Sequence, residues 1–248
     1  MHVDEGYTDP RLARLYDAEN PWHLQDDFYL ALDLAARSVL DVGCGTGTRL
    51  ARARETGHTG LLVGVDPAPA MLAVARTKTA DVEWVDGAAQ SLDLGRCFEL
   101  LSMTGHAFQL LLDDAAVLAA LDRFRAHLTP DGLLAFETRN PGPQPWRAWT
   151  RAATAQQVEA PDGEPFELWV EGAHRSGPDH VTFTSVARRL RTGSRRTSRA
   201  TLRFVDPDRL REHLAATGFA VEGWYGDWDR SPVTHDSPEI VVLARPVP

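Results

Sequence analysis

Between residues 38 and 138, short apolar strands alternate with segments of helical spacing. The pattern predicts strands at 39–42, 61–65, 82–85, 98–103 and 133–138. It predicts helices at 48–56, 69–78 and 113–128, with a turn at 130–132. Strands and helices alternating at this spacing form βαβ units. We therefore expect an α/β fold with a parallel sheet covered by helices on both faces.

The rhythm changes after Asn140, where three prolines open an irregular stretch. Strand-like segments separated by turns follow at 166–172, 180–190 and 195–205, and they predict a small antiparallel β insert. Asp206 then caps a predicted helix, and the chain ends in two further strands, so that the elements are 207–217, 219–225 and 239–244. Before the first strand, helices are predicted at 10–20 and 25–37.

Composition disfavours several classes of protein. No run of about 18 apolar residues occurs, so we expect no membrane span, and the acidic start of the chain does not resemble a signal peptide. Cys44 and Cys97 are the only cysteines, which excludes a disulfide framework and fits a reducing cytoplasm. A net charge of −9 disfavours nucleic acid as a partner. No metal-ligand spacing occurs, so we expect no metal.

The segment VLDVGCGTG, residues 39–47, joins the first strand to a helix through a glycine-rich turn. Glycines let the backbone turn sharply and let a ligand approach closely, while the helix that follows presents free N–H groups. Asp66 closes the second strand, where an acid can accept hydrogen bonds from both hydroxyls of a ribose. Together they predict a nucleoside-containing ligand. The alternatives are a turn that serves only the fold and an aspartate that caps the next helix.

The spacing of the glycines distinguishes between nucleoside ligands. The dinucleotide fingerprint needs a glycine at the sixth position counted from Gly43, and Thr48 stands there, which disfavours a nicotinamide dehydrogenase. Glycines at the first, third and fifth positions, with Asp41 two residues before them, resemble motif I of the class I S-adenosylmethionine-dependent methyltransferases. The resemblance spans 39–138 and the closing elements at 207–244.

This resemblance implies a Rossmann-like, doubly wound sheet of seven strands, mostly parallel, with the last strand antiparallel. It implies S-adenosylmethionine as cofactor and S-adenosylhomocysteine as product. It also divides a single domain into an N-terminal helical lid (1–37), a cofactor-binding core (38–139), a β-rich insert over the substrate (140–205) and a return to the core (206–248). We expect Phe28 and Tyr29 either to belong to the lid or to pack it onto the sheet.

The resemblance also implies how the cofactor is held: the turn cradles its methionine half, Asp66 binds the ribose and Met71 packs against the adenine. The family often has Gly-Asp-Ala after the third strand, where this chain has Gly87-Ala88-Ala89. Either Asp86 or the backbone of the two alanines then holds the adenine. The expected cofactor-binding residues are Tyr16, Trp22, Asp41, Gly43, Cys44, Gly45, Gly47, Asp66, Pro67, Met71, Asp86, Ala88, Ala89, Met103 and Thr104.

His106 follows the fourth strand, beside the glycine turn, and imidazole titrates near neutral pH. It is therefore the candidate catalytic base. The alternative is a histidine that only positions the substrate or lines the pocket. Aromatic walls with a few polar groups suit a small organic substrate, although each tryptophan could equally be a core residue. The expected substrate-binding residues are Arg139, Trp146, Trp149, Trp169, Trp224 and Trp228.

An arginine strip lies within 186–203, a segment that contains no acid, and comprises Arg188, Arg189, Arg191, Arg195, Arg196, Arg199 and Arg203. It is interpreted as a solvated outer face, as a contact with a second subunit, or as a site for an anionic substrate or RNA. The third interpretation lacks an accompanying RNA-binding motif.

The sequence thus predicts a bacterial, cytoplasmic methyltransferase that acts on N, O or C of a small metabolite, in secondary metabolism. It is expected to be a monomer or homodimer without a membrane partner. Two alternatives remain: an RNA methyltransferase that uses the arginine-rich insert, and a non-catalytic cofactor-binding accessory subunit.

Overall fold

The computed structural model describes residues 5–247. Within this range the strands are β1 (Ser38–Val42), β2 (Leu61–Asp66), β3 (Glu83–Asp86), β4 (Phe98–Met103), β5 (Leu128–Arg139), β6 (Gln156–Glu159), β7 (Pro165–Arg175), β8 (His180–Arg189), β9 (Arg195–Arg203), β10 (Phe219–Tyr225) and β11 (Glu239–Pro246). The helices are α1 (Glu5–Thr8), α2 (Pro10–Ala13), α3 (Tyr16–Glu19), α4 (Leu24–Ala35), α5 (Thr48–Glu55), α6 (Pro69–Lys78), α7 (Asp114–Ala126), α8 (Arg151–Thr154) and α9 (Pro207–Ala216).

Seven strands form the central sheet, in the order β10-β11-β5-β4-β1-β2-β3. Strands β1 to β5 are parallel, and β11 runs antiparallel to both β5 and β10. This confirms the predicted doubly wound sheet with an antiparallel last strand. The strand order reverses at β1, which pairs with β2 on one side and β4 on the other. Ligands of open α/β sheets bind in the crevice at such a switch point, so a ligand site is expected at the loops after β1 and β4.

Apolar side chains cover both faces of this sheet. On one face the core includes Phe124 of α7 and Leu214 of α9, which lie in one cluster with the strands. On the other face Tyr29 of α4 and Leu50 of α5 pack against β1, β2 and β4. Tyr29 therefore packs the N-terminal segment onto the sheet, which was one of the two alternatives predicted for it.

The insert forms a second, antiparallel sheet in the order β6-β7-β8-β9. The sequence predicted three of its strands and missed β6, because QQVE carries no apolar alternation and becomes a strand only by pairing with β7. The second sheet is anchored to the central domain by charge. Arg203 of β9, which is 5% exposed, donates to Asp114 of α7 at 2.6 Å and to Asp179 at 2.7 Å.

Two predicted elements differ from the structure. The helix at 10–20 is wrong as a single helix, since it divides into α2 and α3. Ala13 is buried against α6 while Leu15 is buried against the insert, and a straight helix could not serve both neighbours. The turn at 130–132 is also wrong. It lies inside β5 as an irregularity, because Phe98 pairs with Leu128 whereas Leu100 pairs with Leu133.

None of the helices within the described residues is long and apolar enough to cross a membrane.

Candidate active site

The glycine turn lies at the carboxyl end of β1 and is packed tightly on both sides. Gly47 has φ +70°, and a Cβ there would lie 2.3 Å from Cη2 of Trp84. A Cβ on Gly43 would lie 3.0 Å from Cβ of Ala107, in the loop after β4. The turn and the loop after β4 are therefore in direct contact, as the switch point of the sheet requires.

Asp66 ends β2 beside this turn. Its two carboxylate oxygens accept hydrogen bonds from the backbone N–H groups of Gly45 and Ala68, both at 2.8 Å, and each oxygen keeps a lone pair for a ligand. Burial raises the pKa of Asp66. A Cβ on Gly45, which has φ +55°, would lie 3.4 Å from Cε of the buried Met71. Backbone, carboxylate and thioether thus border one narrow cradle.

Tyr16 lies over this cradle. Its ring is 4.0 Å from the position of a Cβ on Gly45, and its hydroxyl is 3.8 Å from that of a Cβ on Gly105. Burial raises the pKa of the Tyr16 hydroxyl. The next residue, Asp17, holds α3 in place, because it accepts from the hydroxyl of Thr46 at 2.5 Å and pairs with Lys78 at 2.5 Å.

Trp22 lies elsewhere on the N-terminal segment. Its indole N–H donates to Asp27 at 2.8 Å, and the guanidinium of Arg52 stands 5.4 Å from its ring. These contacts are with α4 and α5 rather than with the turn, because the helix break after Asn20 directs the chain over α5. A contact between Trp22 and the cofactor stays a prediction.

Asp41 lies beneath the turn, 2% exposed, in a buried ion network. Arg49 of α5 pairs with Asp41 at 2.7 Å and with Asp33 of α4 at 2.5 Å, and it also donates to the Ser102 hydroxyl at 2.5 Å. Burial raises the pKa of Asp33 to about 6. The network joins α4, α5, β1 and β4. Its visible effect is to hold the turn from below, and a direct cofactor contact for Asp41 stays a prediction.

The expected adenine region follows β3. Asp86 is exposed and pairs in register with Asp66, while Ala89 is buried and begins a short 3₁₀ turn. Sequence reasoning missed the neighbouring Gln90, whose Oε1 atom is buried without a hydrogen-bond partner among residues 5–247. The available signal was the position of Gln90 directly after Ala88 and Ala89, since the aspartate that the family often has in this segment is absent here.

The other predicted cofactor residues lie at the same edge of the sheet. The Cys44 thiol faces β2, where a Cβ on Gly64 would lie 2.9 Å from the sulfur, and burial raises the pKa of this thiol. The remaining predicted residues are Pro67 after β2, Ala88 after β3, Met103 at the end of β4 and Thr104 directly after it.

His106 stands in the loop after β4, next to Ala107 and hence beside the glycine turn. Its Nε2 is 3.0 Å from Oε1 of Glu239, the first residue of β11. Its backbone N–H donates to Oε1 of Glu137 at 2.8 Å, and Oε2 of Glu137 accepts the Tyr29 hydroxyl at 2.5 Å. Two glutamates from adjacent strands thus hold one histidine. The sequence reasoning named neither glutamate, because they come together only through the pairing of β5 with β11.

Two of the predicted substrate residues lie around this histidine. The ring of Trp228 stands edge-on to His106 at 6.4 Å. Arg139 donates to Gln109 at 2.9 Å and stacks 5.4 Å from the ring of Trp149, and burial lowers the pKa of its guanidinium. Arg139 thus links the histidine cluster to the insert.

A cavity of about 550 Å³ opens on the insert side of Arg139. Trp146 and Trp149 form part of its wall, together with Arg147, Arg151 and His174. Trp149 lines this cavity and also carries Arg139 over its ring, so the cavity lies next to Arg139.

Two predicted substrate residues lie away from this cluster. Trp169 is buried between Arg151 and Arg195, 4.4 and 5.6 Å from its ring, and its N–H donates to Glu171. Trp224 of β10 packs under Arg211 of α9, 4.1 Å from the ring. Both tryptophans pack against these arginines and not against the histidine cluster, since alternate residues of a strand point to opposite faces of its sheet.

The arginine strip is engaged mostly by its own chain. Arg188 pairs with Glu167, Arg196 pairs with Asp9, and Arg203 has the two partners given above. Arg189 and Arg195 stack on the rings of Phe166 and Trp169. Much of the positive charge is therefore neutralised or stacked within the molecule.

Residues 39–132 match the family model described as a methyltransferase domain. Among curated proteins, a dTDP-3-amino-3,6-dideoxy-alpha-D-glucopyranose N,N-dimethyltransferase of Streptomyces fradiae is 33% identical over 51% of this chain and 52% of its own length. The cypemycin N-terminal methyltransferase of a Streptomyces species is 29% identical over 85% of this chain and 83% of its own. The chain thus spans about half the length of the first of these relatives.

Among solved structures, the CcbJ methyltransferase of Streptomyces caelestis superposes with a TM-score of 0.74, at 22% identity, over 98% of each chain. This likeness is one of fold. The domain match, the shared fold and the glycine turn together make the chain similar to the class I S-adenosylmethionine-dependent methyltransferases. The cradle of Gly45, Asp66, Met71 and Tyr16 fits the family's cofactor, because it offers a close backbone approach and a carboxylate with free lone pairs.

Proposed function

We propose that this protein transfers a methyl group from S-adenosylmethionine to a nitrogen atom of a small organic molecule. The observation that carries the proposal is the position of His106. It lies in the loop that touches the glycine turn, and glutamates from β5 and β11 surround it. A histidine so placed is suited to receive the proton that an amine must lose.

Binding of the cofactor would rest on residues at the carboxyl ends of β1 and β2. Asp66 would accept the ribose hydroxyls, and Met71 would pack against the base. The Gln90 side chain would accept a hydrogen bond from the adenine amino group through its buried, unpartnered oxygen. When bound, the cofactor supplies a methyl group on a positively charged sulfur. Tyr16, held by the contacts of Asp17, would cover that region and exclude water.

The acceptor would lie between His106 and the insert cavity. A volume of about 550 Å³ falls in the range of small-molecule sites, and tryptophan walls with arginines favour a ring-bearing polar molecule. Of the two relatives above, one is named as an N,N-dimethyltransferase of an amino sugar and the other as an N-terminal methyltransferase. An amino sugar is the acceptor that combines this chemistry with a cavity of this size.

The structure offers less support for RNA as the acceptor, because most of the arginine strip has partners within the chain. An RNA methyltransferase would bind RNA with a steep salt dependence, and Arg195→Gln with Arg196→Gln would abolish that binding. A non-catalytic accessory subunit would bind the cofactor and transfer no methyl group to any acceptor tested.

Calorimetry with S-adenosylhomocysteine tests the cofactor site. Asp66→Ala removes two charge-assisted hydrogen bonds, so we expect affinity to fall about a hundredfold. Asp93→Ala, at an exposed loop position, is the matched control and is expected to bind as the wild type does. Absence of binding to the wild type at high micromolar concentration would contradict the proposal.

Matched acceptors test the atom that is methylated. An amino sugar and the sugar with a hydroxyl in its place are incubated separately with enzyme and cofactor, and the products are analysed by mass spectrometry. We expect methylation of the amine alone. Methylation of the hydroxyl compound at a similar rate would exclude the nitrogen assignment.

A further inference from the structure

Glu239 is a buried carboxylate in which one oxygen has a side-chain partner and the other has none among the described residues. The residue is 7% exposed, and its Oε1 lies 3.0 Å from Nε2 of His106. Its Oε2 is buried and has no hydrogen-bond partner within the described part of the chain. An unpaired buried carboxylate oxygen costs stability, so its presence in a cluster beside the cofactor turn points to a role in function.

The main chain at His106 is fixed independently of its side chain. His106 has φ 60° and ψ 19°, a left-handed conformation that is unfavourable for a residue with a Cβ. The bond from its N–H to Glu137 stabilises this conformation, and the Tyr29 hydroxyl fixes Glu137 in turn. The backbone that carries the imidazole is therefore held in place, and Nε2 of the ring lies against Oε1 of Glu239.

The titratable and charged groups around His106 and its two glutamates include Glu137 and Arg139 on β5, Glu239 on β11, Tyr29 on α4 and Tyr16 on α3. Two carboxylates stand against one guanidinium, and that guanidinium already has Gln109 as a partner. Within this cluster the carboxylates thus outnumber the one guanidinium.

We propose that Glu239 is a positioning residue: its Oε1 receives the Nε2–H of His106, and its Oε2 receives a hydrogen bond from the acceptor molecule. This rests on the function proposed above. An ionised carboxylate can only accept hydrogen bonds, so Nε2 of a neutral His106 must carry the hydrogen. The Nδ1 atom is then left with the lone pair that can take a proton.

The acceptor nitrogen uses its lone pair to form the N–CH₃ bond while the S–CH₃ bond breaks, and the electron pair of that bond stays on sulfur. The nitrogen's proton passes to Nδ1 of His106, and Glu239 stabilises the imidazolium. Solvent removes this proton after the methylated product has left.

The pH profile of kcat/KM for an amine acceptor tests the proposal. Glu239→Gln keeps the size of the side chain but removes its charge, so we expect kcat to fall about a hundredfold and the acidic limb of the profile to move to lower pH. The affinity for S-adenosylhomocysteine is expected to stay within twofold. The matched control is Glu222→Gln, at a surface position of β10 where the glutamate pairs with Arg245. It should leave the pH profile and the affinity unchanged.

A double-mutant cycle with His106→Gln distinguishes positioning from a merely structural role. We expect Glu239→Gln to add no further loss to His106→Gln, because both remove the same function. Additive losses, or a Glu239→Gln enzyme with the wild-type pH profile, would overturn the proposal. If Glu239→Gln unfolds, Glu239→Asp keeps the charge and is expected to retain the acidic limb at reduced kcat. Loss of the limb in Glu239→Asp would count against the proposal. Failure of the wild type to bind S-adenosylhomocysteine would refute the proposed function instead.

Discussion

The two sheets of the protein place their polar groups in opposite ways. At the carboxyl edge of the seven-stranded sheet, ionic groups such as Arg49 and Asp33 are buried beneath the glycine turn. In the four-stranded sheet, by contrast, Arg203 is buried at the junction, but Arg195 lies at the surface and stacks on Trp169. Arg151 of the adjoining helix α8 stacks on the same ring and pairs with Glu167. The first arrangement holds a backbone turn rigidly, whereas the second leaves an open cavity with adaptable walls.

This difference suggests a division of work between cofactor and acceptor. A constant ligand is suited to a rigid turn whose glycines at 43, 45 and 47 all have positive φ and close neighbours. A variable acceptor is suited to stacked side chains on an insert that can change without disturbing the central sheet. Three measurements of stability separate the two regions.

The largest effect is expected from the ion network beneath the turn. Arg49→Met leaves Asp33 and Asp41 buried without a counter-ion, so we expect about 3–5 kcal/mol of lost unfolding free energy in urea titrations at pH 8. Burial already raises the pKa of Asp33 to about 6, and without Arg49 it rises further. A raised carboxyl pKa favours the folded state as the pH falls, so the loss should be smaller at pH 5.5.

Arg52→Met, on the exposed side of the same helix, is the control and should cost less than about 1 kcal/mol. If the two arginine variants lose equal stability, or if the Arg49→Met loss does not change with pH, the buried network is not what holds the turn.

A smaller effect is expected from two glycines with the same backbone angle. Gly47 in the turn and Gly193 in a hairpin of the insert both have φ +70°, but a Cβ at Gly193 would meet nothing within 4 Å. Gly193→Ala should therefore cost only the conformational strain, about 1 kcal/mol. Gly47→Ala adds the clash with Trp84 and should cost about 3 kcal/mol in the same urea titration. Equal losses would show that packing around the turn is not tight.

The smallest effect concerns the junction between the two regions. Asp114 receives hydrogen bonds from Arg209, Arg203 and His213, which hold its pKa below the ordinary value of 3.8. A lowered carboxyl pKa adds stability that is fully present above pH 3.8 and is lost as the pH falls through the lowered pKa. Asp114→Asn should cost about 1 kcal/mol at pH 7, because water screens this half-exposed group, and less at pH 3.

The surface variant Asp208→Asn is the control for this junction, since Asp208 pairs with Arg211 on its own helix turn. It should change stability little at either pH. A loss for Asp114→Asn that is the same at pH 7 and pH 3 would mean that the carboxylate charge does not anchor the insert.

Much of the fold could be predicted from the sequence, because β1 to β5 and their helices follow local rules. Apolar runs mark the strands, and the predicted strand at 98–103 is confirmed residue for residue. Prediction failed where distant contacts decide the local structure. Strand β6 exists only beside β7, and the break between α2 and α3 follows from burial against two different neighbours.

The site divides in the same manner. The glycine turn and Asp66 lie close together in the chain, so their spacing alone indicated a nucleoside ligand. Glu137 and Glu239 could not be predicted, because 102 positions of sequence separate them and only the antiparallel pairing of β5 with β11 brings both to His106. Local spacing therefore determined the cofactor half. Tertiary pairing alone brought the two glutamates to His106, and a carboxylate acts on a histidine only within hydrogen-bond distance.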